Sequence, residues 1–309
     1  MLSRIAESLF WIGRYIERAE QTARILDVQF HRLLEDPWVD EPSVCRSLLG
    51  VMGTTAPVAE APHALEVCEI LAYDPANPSS IVGALTAARE NARGAGEVIS
   101  AEMWECLNAT WYALDGQVRA ARSFGPHGFF GFVKDRVAMV NGLAGTTLSR
   151  DDGWRFLILG ESLERVDMTA RLLSALWGDP SGSPGWVTTL RCCSAHEAYL
   201  RAYRRAVDAS LVAEFLLLDR LFPRSVFHAL STAEQCLAEL DPAGTRAGPE
   251  DEARRIVGRA RTDLEFSRTD EILDDMGSYL VGLQVACSQA SRAVAGRYFR
   301  HTAPIEWSA

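Results

Sequence analysis

The stretch that decides the fold is Ser3–Leu33, SRIAESLFWIGRYIERAEQTARILDVQFHRL. Its apolar residues recur at alternating intervals of four and three: Ile5, Leu9, Ile12, Ile16, Ala19, Ala23, Leu26, Phe30 and Leu33. This spacing predicts a long amphipathic helix with one apolar face. Ser3 is expected to cap its start. Asp36-Pro37 predicts its end, because a residue before proline is pushed out of the helical region.

Similar periodicity predicts helices along the rest of the chain. The predicted segments are roughly 43–53, 63–72, 80–121, 131–145, 151–177, 187–206, 207–219, 225–240, 250–267 and 270–299. Stretches rich in Pro, Gly and Asp separate many of them, among them 178–185. No stretch shows the period of two that is typical of a strand. We therefore expect an all-α protein, a helical bundle.

The composition excludes several classes of protein. Of 309 residues, 48% are hydrophobic and 23% charged, which is typical of a globular protein. The net charge of -10 argues against a nucleic-acid partner, because phosphate binding needs clustered basic residues. No apolar run is long enough to span a membrane, and the opening residues do not resemble a secretory signal. Seven scattered cysteines without CxxC spacing indicate buried thiols in the cytoplasm.

Two matches within the sequence indicate an internal duplication. Gly13–Leu26 and Gly160–Leu173 share seven of fourteen positions, at an offset of 147. Val67–Ala88 and Val212–Ala233 share nine of twenty-two positions, at an offset of 145. Two matches in the same order and at nearly the same spacing are hard to attribute to chance.

The duplication leads to an expectation about the architecture. We interpret residues 1–309 as a single domain made of two diverged copies of a roughly 146-residue helical unit. Copy 1 covers about 1–147 and copy 2 about 148–309. Two copies in one chain often pack about a pseudo-two-fold axis, as in a homodimer. The serines at equivalent positions, Ser80 and Ser225, are expected to cap helices.

The repeated helix carries a charged cluster in each copy. The candidate site residues are Glu17, Arg18, Glu20 and Arg24 in copy 1 and Glu164, Arg165, Asp167 and Arg171 in copy 2. Spacings of three and four place the acids and the last arginine of each set on adjacent turns of one face. Arg18 and Arg165 point about 100–120° away from that face, so a different contact is expected for them. Gly13 and Gly160 lie one turn earlier and are expected to let a helix or a ligand approach closely.

Two interpretations of this cluster stay open. It is either a structural ion network that joins the two copies, or a site for a ligand or a metal. No metal is assigned firmly; magnesium is the candidate cofactor, since carboxylates supply its oxygen ligands while arginines bind phosphate or carboxylate. The candidate magnesium ligands are Glu17, Glu20, Glu164 and Asp167.

A secondary group of polar residues lies on the predicted helix 80–121. Its members are Glu90, Asn91, Arg93 and Asn108. The two asparagines have low helix propensity, which suggests specific hydrogen bonds. The alternative is a solvated helix face with Trp104 in the core.

Several stretches resemble the bacterial alpha-E family. They are MLSRIAESLFWIGRYIERAEQTAR at 1–24, ARENAR at 88–93, ISAEMWECLN at 99–108, ESLERVDMTAR at 161–171, EFLLLD at 214–219 and FPRSV at 222–226. The sequence departs from the family pattern at Gly94-Ala95, after Arg93. The resemblance implies an all-helical companion of a circularly permuted ATP-grasp amide ligase, with a role in making or attaching a small peptide or amide-linked product.

Two hypotheses on function follow. The first is an accessory helical protein that binds the ATP-grasp ligase, or an acidic or peptide ligand, through the repeated Glu/Arg cluster. The alternative is a magnesium-dependent all-α enzyme that acts on a phosphate- or amide-containing small molecule at the same cluster. No nucleic acid and no membrane is expected as a partner, and self-association into a homo-oligomer is left open.

Overall fold

The computed structural model describes residues 2–54, 61–177, 185–242 and 248–299. Within these ranges the regular structure is entirely helical, which confirms the all-α prediction. The helices are α1 Ser3–Glu35, α2 Glu41–Val51, α3 Ala64–Cys68, α4 Ile81–Gly94, α5 Ala101–Phe124, α6 His127–Thr147, α7 Asp152–Trp177, α8 Gly185–Cys192, α9 His196–Tyr203, α10 Ala209–Leu218, α11 Val226–Leu240, α12 Glu252–Phe266, α13 Thr269–Asp274 and α14 Met276–Tyr298. A π-helical turn, Glu69–Tyr73, continues α3.

Two four-helix arrangements meet at the centre of the molecule. In the first, α1 packs against α4 and α6, and α5 contacts both of those helices. In the second, α7 packs against α11 and α14, and α12 contacts both of those. The most extensive contact of all joins α1 to α7. The two predicted long helices therefore form the middle of the structure, each with its own bundle.

The buried apolar side chains of both arrangements form one contiguous core. On α1, Ile12 is fully buried, and on α7 Leu159 and Leu163 are as well. None of the described helices contains an apolar stretch long enough to cross a bilayer. The predicted break at 178–185 falls almost wholly outside the described residues.

Capping residues fix the starts of several helices. Ser80 accepts a hydrogen bond from the Gly83 amide at 2.9 Å, and Ser225 accepts one from the His228 amide at 3.1 Å. Both serines are caps, as predicted from the sequence. The prediction for Ser3 is wrong: Ser3 is the first helical residue, and Leu2 occupies the cap position without a side-chain hydrogen bond. The end of α1 at Glu35, before Asp36-Pro37, is confirmed.

The predicted helix 80–121 is two helices, α4 and α5. Helix α4 ends at Gly94, and Ser100 caps α5 by accepting from the Met103 amide at 3.1 Å. Gly94 and Gly96 have low helix propensity, and the serine offers the chain a new helix start. The apolar spacing continues across this turn, so periodicity alone does not reveal the break.

Candidate functional site: paired charges between α1 and α7

Two glycines bring α1 and α7 into backbone contact. A Cβ atom at Gly13 would overlap the carbonyl oxygen of Leu157, and one at Gly160 would overlap the carbonyl oxygen of Phe10. Only glycine allows this close approach. The expectation of a close approach is therefore met, and the approaching group is in each case the other central helix.

The Glu-Arg dipeptides of the two helices form crossed ion pairs just beyond the glycines. Glu17 accepts from Arg165 Nε at 3.1 Å and from Arg165 Nη2 at 2.7 Å. Glu164 accepts from Arg18 Nε at 2.6 Å and from Arg18 Nη2 at 3.1 Å. Both glutamates are 1% exposed. The sequence contains Glu followed by Arg only at these two places. The glutamate of each dipeptide forms its ion pair with the arginine of the other.

This crossing explains the positions of Arg18 and Arg165. The helical wheel sets them apart from the acidic face of their own helix, and they do make a different contact, as expected. That contact is with the glutamate of the opposite helix. The wheel describes one helix at a time, so it could not show that the two sets meet.

Two further arginines, Arg14 and Arg224, donate hydrogen bonds to the buried glutamates. Arg14 Nε donates to Glu164 Oε2 at 2.6 Å. Arg224 donates to Glu17 Oε1 at 3.0 Å and to Glu20 Oε2 at 2.6 Å. The sequence reasoning did not single out either arginine as a site residue. Arg224 lies in the loop before α11, where no helical period connects it to α1, although the FPRSV stretch contains it.

The outer pairs lie within single helices. Arg24 Nε donates to Glu20 Oε1 at 3.0 Å, and Arg171 Nε donates to Asp167 Oδ2 at 2.8 Å. Both are pairs four residues apart with the acid first, which is the favourable orientation on a helix. Arg24 also donates to Ser194 Oγ at 3.2 Å.

The arginines decide the protonation of the central glutamates. Burial alone would raise the pKa of Glu17, but the guanidinium groups of Arg165 and Arg224 lower it to about 2. In the same way Arg14 and Arg18 overcome the effect of burial and hold the pKa of Glu164 below its usual value. Both carboxylates are therefore ionised at neutral pH.

Two acids at the edge of the network behave differently. Burial raises the pKa of Glu161, and the charge of nearby Glu17 raises it further, although Arg165 opposes both. Burial also raises the pKa of Asp167, against the opposing charge of Arg171. Arg165 contacts Glu17 and Glu161 together, so the two acids share one guanidinium group, and Glu17 also contacts Arg224.

The four candidate magnesium ligands do not fit that ion. Glu17, Glu20, Glu164 and Asp167 each accept hydrogen bonds from at least one guanidinium group. Among the described residues, they are not part of any group of three acidic, His or Cys side chains close enough to share a metal. The arginines occupy the positions that a hard cation would need. The arrangement favours the ion network over the magnesium site.

One arginine of the cluster faces a cavity of about 500 Å³ between α2, α7 and α14. The cavity is lined by Ser43, Ser47, Gly50, Val51, Arg171, Ser174, Ala175 and Gln284. The side chain of Arg171 is 34% exposed. Within the described part of the chain, only its Nε has an acceptor, the carboxylate of Asp167, and its two Nη groups have none.

Of the secondary residues, Asn108 connects α5 to α4, through Arg89. Arg89 donates to Asn108 Oδ1 at 3.1 Å, and its guanidinium carbon lies 4.5 Å from the centre of the Trp111 ring. Asn91 donates to the carbonyl oxygen of Ala87 in its own helix. Arg93 and Glu90 form a partly exposed pair 3.6 Å apart. Asn108 thus makes the specific hydrogen bond that its low helix propensity suggested, and Glu90 and Arg93 lie on a solvated face.

An all-helical protein with two central helices joined through Glu-Arg dipeptides is the class that this geometry defines. The chain belongs to the Alpha-E family, whose model is described as a predicted alpha-helical domain with a conserved ER motif and matches residues 1–299. Glu17-Arg18 and Glu164-Arg165 are the two places where this sequence carries Glu followed by Arg.

The curated relatives are uncharacterized mycobacterial proteins. One is from Mycobacterium bovis and another from Mycobacterium tuberculosis. Each is 24% identical over 294 residues, which covers 87% of this chain and 33% of the relative. The chain therefore spans about a third of the length of the curated relatives it matches. No solved structure matches it.

Proposed function

We propose that this protein is an accessory subunit of a circularly permuted ATP-grasp amide ligase and binds an acidic or peptide ligand at Arg171. The observation that carries the ligand part is the cavity beside Arg171, the member of the cluster whose guanidinium group keeps two unpaired Nη groups within the described structure. The partnership with the ligase rests on the resemblance of the sequence motifs to the alpha-E family.

The chemistry of the cavity suits a carboxylate. A guanidinium group presents a planar fork of N–H donors, which matches the two oxygens of a carboxylate. Ser43 and Ser47 line the same cavity with hydroxyl groups. Ser174 also lines it, but its hydroxyl donates to the carbonyl oxygen of Ala170 and accepts from Gln284. A volume of about 500 Å³ lies within the usual range for small-molecule sites. Asp167 neutralises part of the positive charge of Arg171, so charge attraction alone holds an anion less tightly. This favours a ligand that also forms hydrogen bonds with the serine hydroxyl groups of the cavity.

The rest of the cluster supports a structural and binding role over a catalytic one. The central carboxylates are ionised and held by arginines, so they are poor proton donors at neutral pH. Burial raises the pKa of the Cys193 thiol to about 12 and raises that of Cys192 as well. Such thiols are poor nucleophiles. All seven cysteines are buried and free, which fits a reducing compartment such as the cytoplasm.

We further propose that the architecture comes from duplication of one helical unit. Several contacts repeat under the sequence offsets of 147 and 145: Arg18 to Glu164 and Arg165 to Glu17, Gly13 to Leu157 and Gly160 to Phe10, and the Ser80 and Ser225 caps. Reciprocal contacts of this kind are what a self-complementary homodimer makes. A single chain that fused two such units would keep them.

Ligand binding at Arg171 is tested by titrating the purified protein with free glutamate and with a glutamyl-glutamate dipeptide, followed by calorimetry. We expect binding of at least one of them and its loss in Arg171→Gln. The matched control is Arg201→Gln, which removes an exposed arginine of α9 that does not line the cavity. Equal binding by both variants, or no binding by the unmodified protein, would overturn the ligand part.

The partnership is tested separately, by co-expressing the protein with the ATP-grasp ligase of the same organism. We expect the two to co-purify, or the rate of the ligase to change when the protein is added. If neither occurs with or without ATP and a glutamate-containing substrate, the partnership is wrong. The Arg171 titration does not depend on that outcome.

A further inference from the structure

A second polar cluster lies away from the crossed pairs, where α1 meets the start of α6. It consists of Asp27 and His31 on α1 and His127 and Lys134 on α6. His127 is the first residue of its helix, and Lys134 is the only lysine in the sequence. The proposed function uses none of these four residues.

Asp27 Oδ1 faces the two imidazole rings. It lies 2.7 Å from His127 Nδ1 and 3.3 Å from His31 Nδ1. The centres of the two rings are 3.9 Å apart. One ligand atom from each of the three residues lies within 4.8 Å of the other two, and no other group of three such side chains in the described ranges meets this condition.

These separations are close to those around a zinc ion. Zinc binds imidazole nitrogen and carboxylate oxygen at about 2.0–2.2 Å, so neighbouring ligand atoms of a tetrahedral site lie about 3.3 Å apart. The distance from Asp27 Oδ1 to His31 Nδ1 is 3.3 Å, and the 2.7 Å from Asp27 Oδ1 to His127 Nδ1 has to lengthen by about 0.6 Å to reach this value. His31 Nδ1 also lies 2.8 Å from the carbonyl oxygen of Asp27, so its ring has to turn. The His31 side chain is 53% exposed, so the proposal requires this ring to rotate on its solvent-facing side.

The other oxygen of Asp27 is held by the lysine. Lys134 Nζ donates to Asp27 Oδ2 at 2.6 Å, which leaves Oδ1 directed at the histidines. Metal-binding carboxylates commonly have their second oxygen fixed by a hydrogen bond of this kind.

We propose that Asp27, His31 and His127 form a site for a divalent transition metal, with zinc as the ion, in which Lys134 orients the carboxylate. Two nitrogen ligands and one carboxylate oxygen are a donor set that zinc accepts, and three protein ligands leave a coordination position for water. The bound ion connects α1 to the first turn of α6. Since a metal that binds only the folded chain stabilises it, zinc raises the melting temperature.

The test is calorimetric titration of the metal-free protein with zinc chloride. We expect one zinc ion per chain, and binding at least tenfold weaker in His31→Gln, His127→Gln and Asp27→Asn. His63→Gln is the matched control, because His63 lies at the start of α3 and outside the cluster, and its affinity should equal that of the unmodified protein. Helical circular dichroism confirms that each variant is folded.

Cobalt provides an independent readout. Cobalt substituted at a tetrahedral site with nitrogen and oxygen ligands gives a visible absorption band, which should appear with the unmodified protein and disappear in each ligand variant. The melting temperature should rise on zinc addition in the same pattern. No stoichiometric binding by the unmodified protein, or binding that survives all three ligand substitutions, would overturn the proposal.

Discussion

Glu17 and Glu164 are carboxylates that water hardly reaches, and arginines from outside their own turn of helix keep them charged. Each accepts hydrogen bonds from two guanidinium groups: those on Glu164 both come from α1, and those on Glu17 come from α7 and from the loop before α11. A buried ion pair adds little net stability, because desolvation offsets the attraction. Removing one partner is costly, because it leaves the other charge buried and unpaired.

Glu17→Gln should lower the free energy of unfolding by up to about 3–5 kcal/mol, because Arg165 and Arg224 lose the buried carboxylate that they share and keep only Glu161 and Glu20 as acidic partners. Glu161→Gln should cost less than about 1 kcal/mol, although Glu161 also contacts Arg165, since a group whose pKa is raised by burial gains little from being charged. Urea denaturation at neutral pH measures both. Equal costs for the two variants would contradict this account of the network.

The pKa of Glu17 also predicts how stability depends on pH. Its value is about 2 in the folded protein against 4.5 for the ordinary side chain, so the folded state holds the proton less tightly. The resulting stability is complete above about pH 4.5 and is lost as the pH falls toward 2. Between these values the unmodified protein should therefore lose stability more steeply than Glu17→Gln. Urea midpoints along an acid series check the slopes, and parallel slopes would refute the assignment.

The residues within one helix could be predicted from the sequence, and those that arrive from elsewhere could not. The Glu20–Arg24 and Asp167–Arg171 pairs follow directly from a spacing of four. Arg224 reaches Glu17 from a loop more than two hundred positions away, a distance over which no local pattern operates. The crossed pairs are an intermediate case. The internal repeat identified the two Glu-Arg dipeptides, but only the packing of α1 on α7 shows which glutamate pairs with which arginine.

At the scale of helices, the contact between α1 and α7 depends on two glycines, which have no side chain beyond a hydrogen atom. Gly13 and Gly160 each lie against a backbone carbonyl of the opposite helix. Backbone cannot move aside as a flexible side chain can. The two glycines therefore set the distance at which the Glu-Arg dipeptides meet.

Gly13→Ala and Gly160→Ala should each lower the free energy of unfolding by at least about 1–3 kcal/mol, because the helices must separate. Gly116→Ala in α5 is the control, since a Cβ there meets nothing within 4 Å. Alanine is the better helix former, so this control should gain about 0.5–1 kcal/mol. Thermal unfolding followed by circular dichroism measures all three, and a stabilised Gly13→Ala would contradict the backbone contact.

Helix type was predictable from the apolar spacing, but helix ends were less so. The apolar spacing of 80–121 runs through the turn between α4 and α5, where Ala95 and Ile99 are buried as well. Serine caps signalled α4 and α11 correctly at Ser80 and Ser225. Ser3 is also a serine before an apolar run, but it is not a cap. Serine is only preferred at the cap position, and the backbone geometry at the helix start determines which residue occupies it.

At the scale of the whole molecule, the two bundles are joined through their central helices, α1 and α7. Each bundle contains one central helix, and the buried glutamate of that helix is paired with an arginine of the other bundle. The apolar core is also continuous across the two. We therefore expect neither bundle to be stable without the other.

Fragments that divide the chain in the α6–α7 connection, at 149/150, test this expectation. Each fragment alone should lack a cooperative thermal transition, because its central helix exposes an apolar face and an unpaired glutamate. Co-expressed, the two should form a one-to-one complex with a cooperative transition. Size-exclusion chromatography and calorimetry measure this. Two fragments that fold separately would show two independent domains.

The position of Lys134 has a practical consequence for studying this protein in solution. Because the sequence has a single lysine, an amine-selective reagent has one side chain to modify in the whole chain. The Lys134 side chain is 27% exposed and its amine donates to Asp27, so its rate of labelling depends on whether that contact is intact. A label on Lys134, distinguished from one on the α-amino group by peptide mapping, provides a chemical probe of the junction between α1 and α6 without any engineered residue.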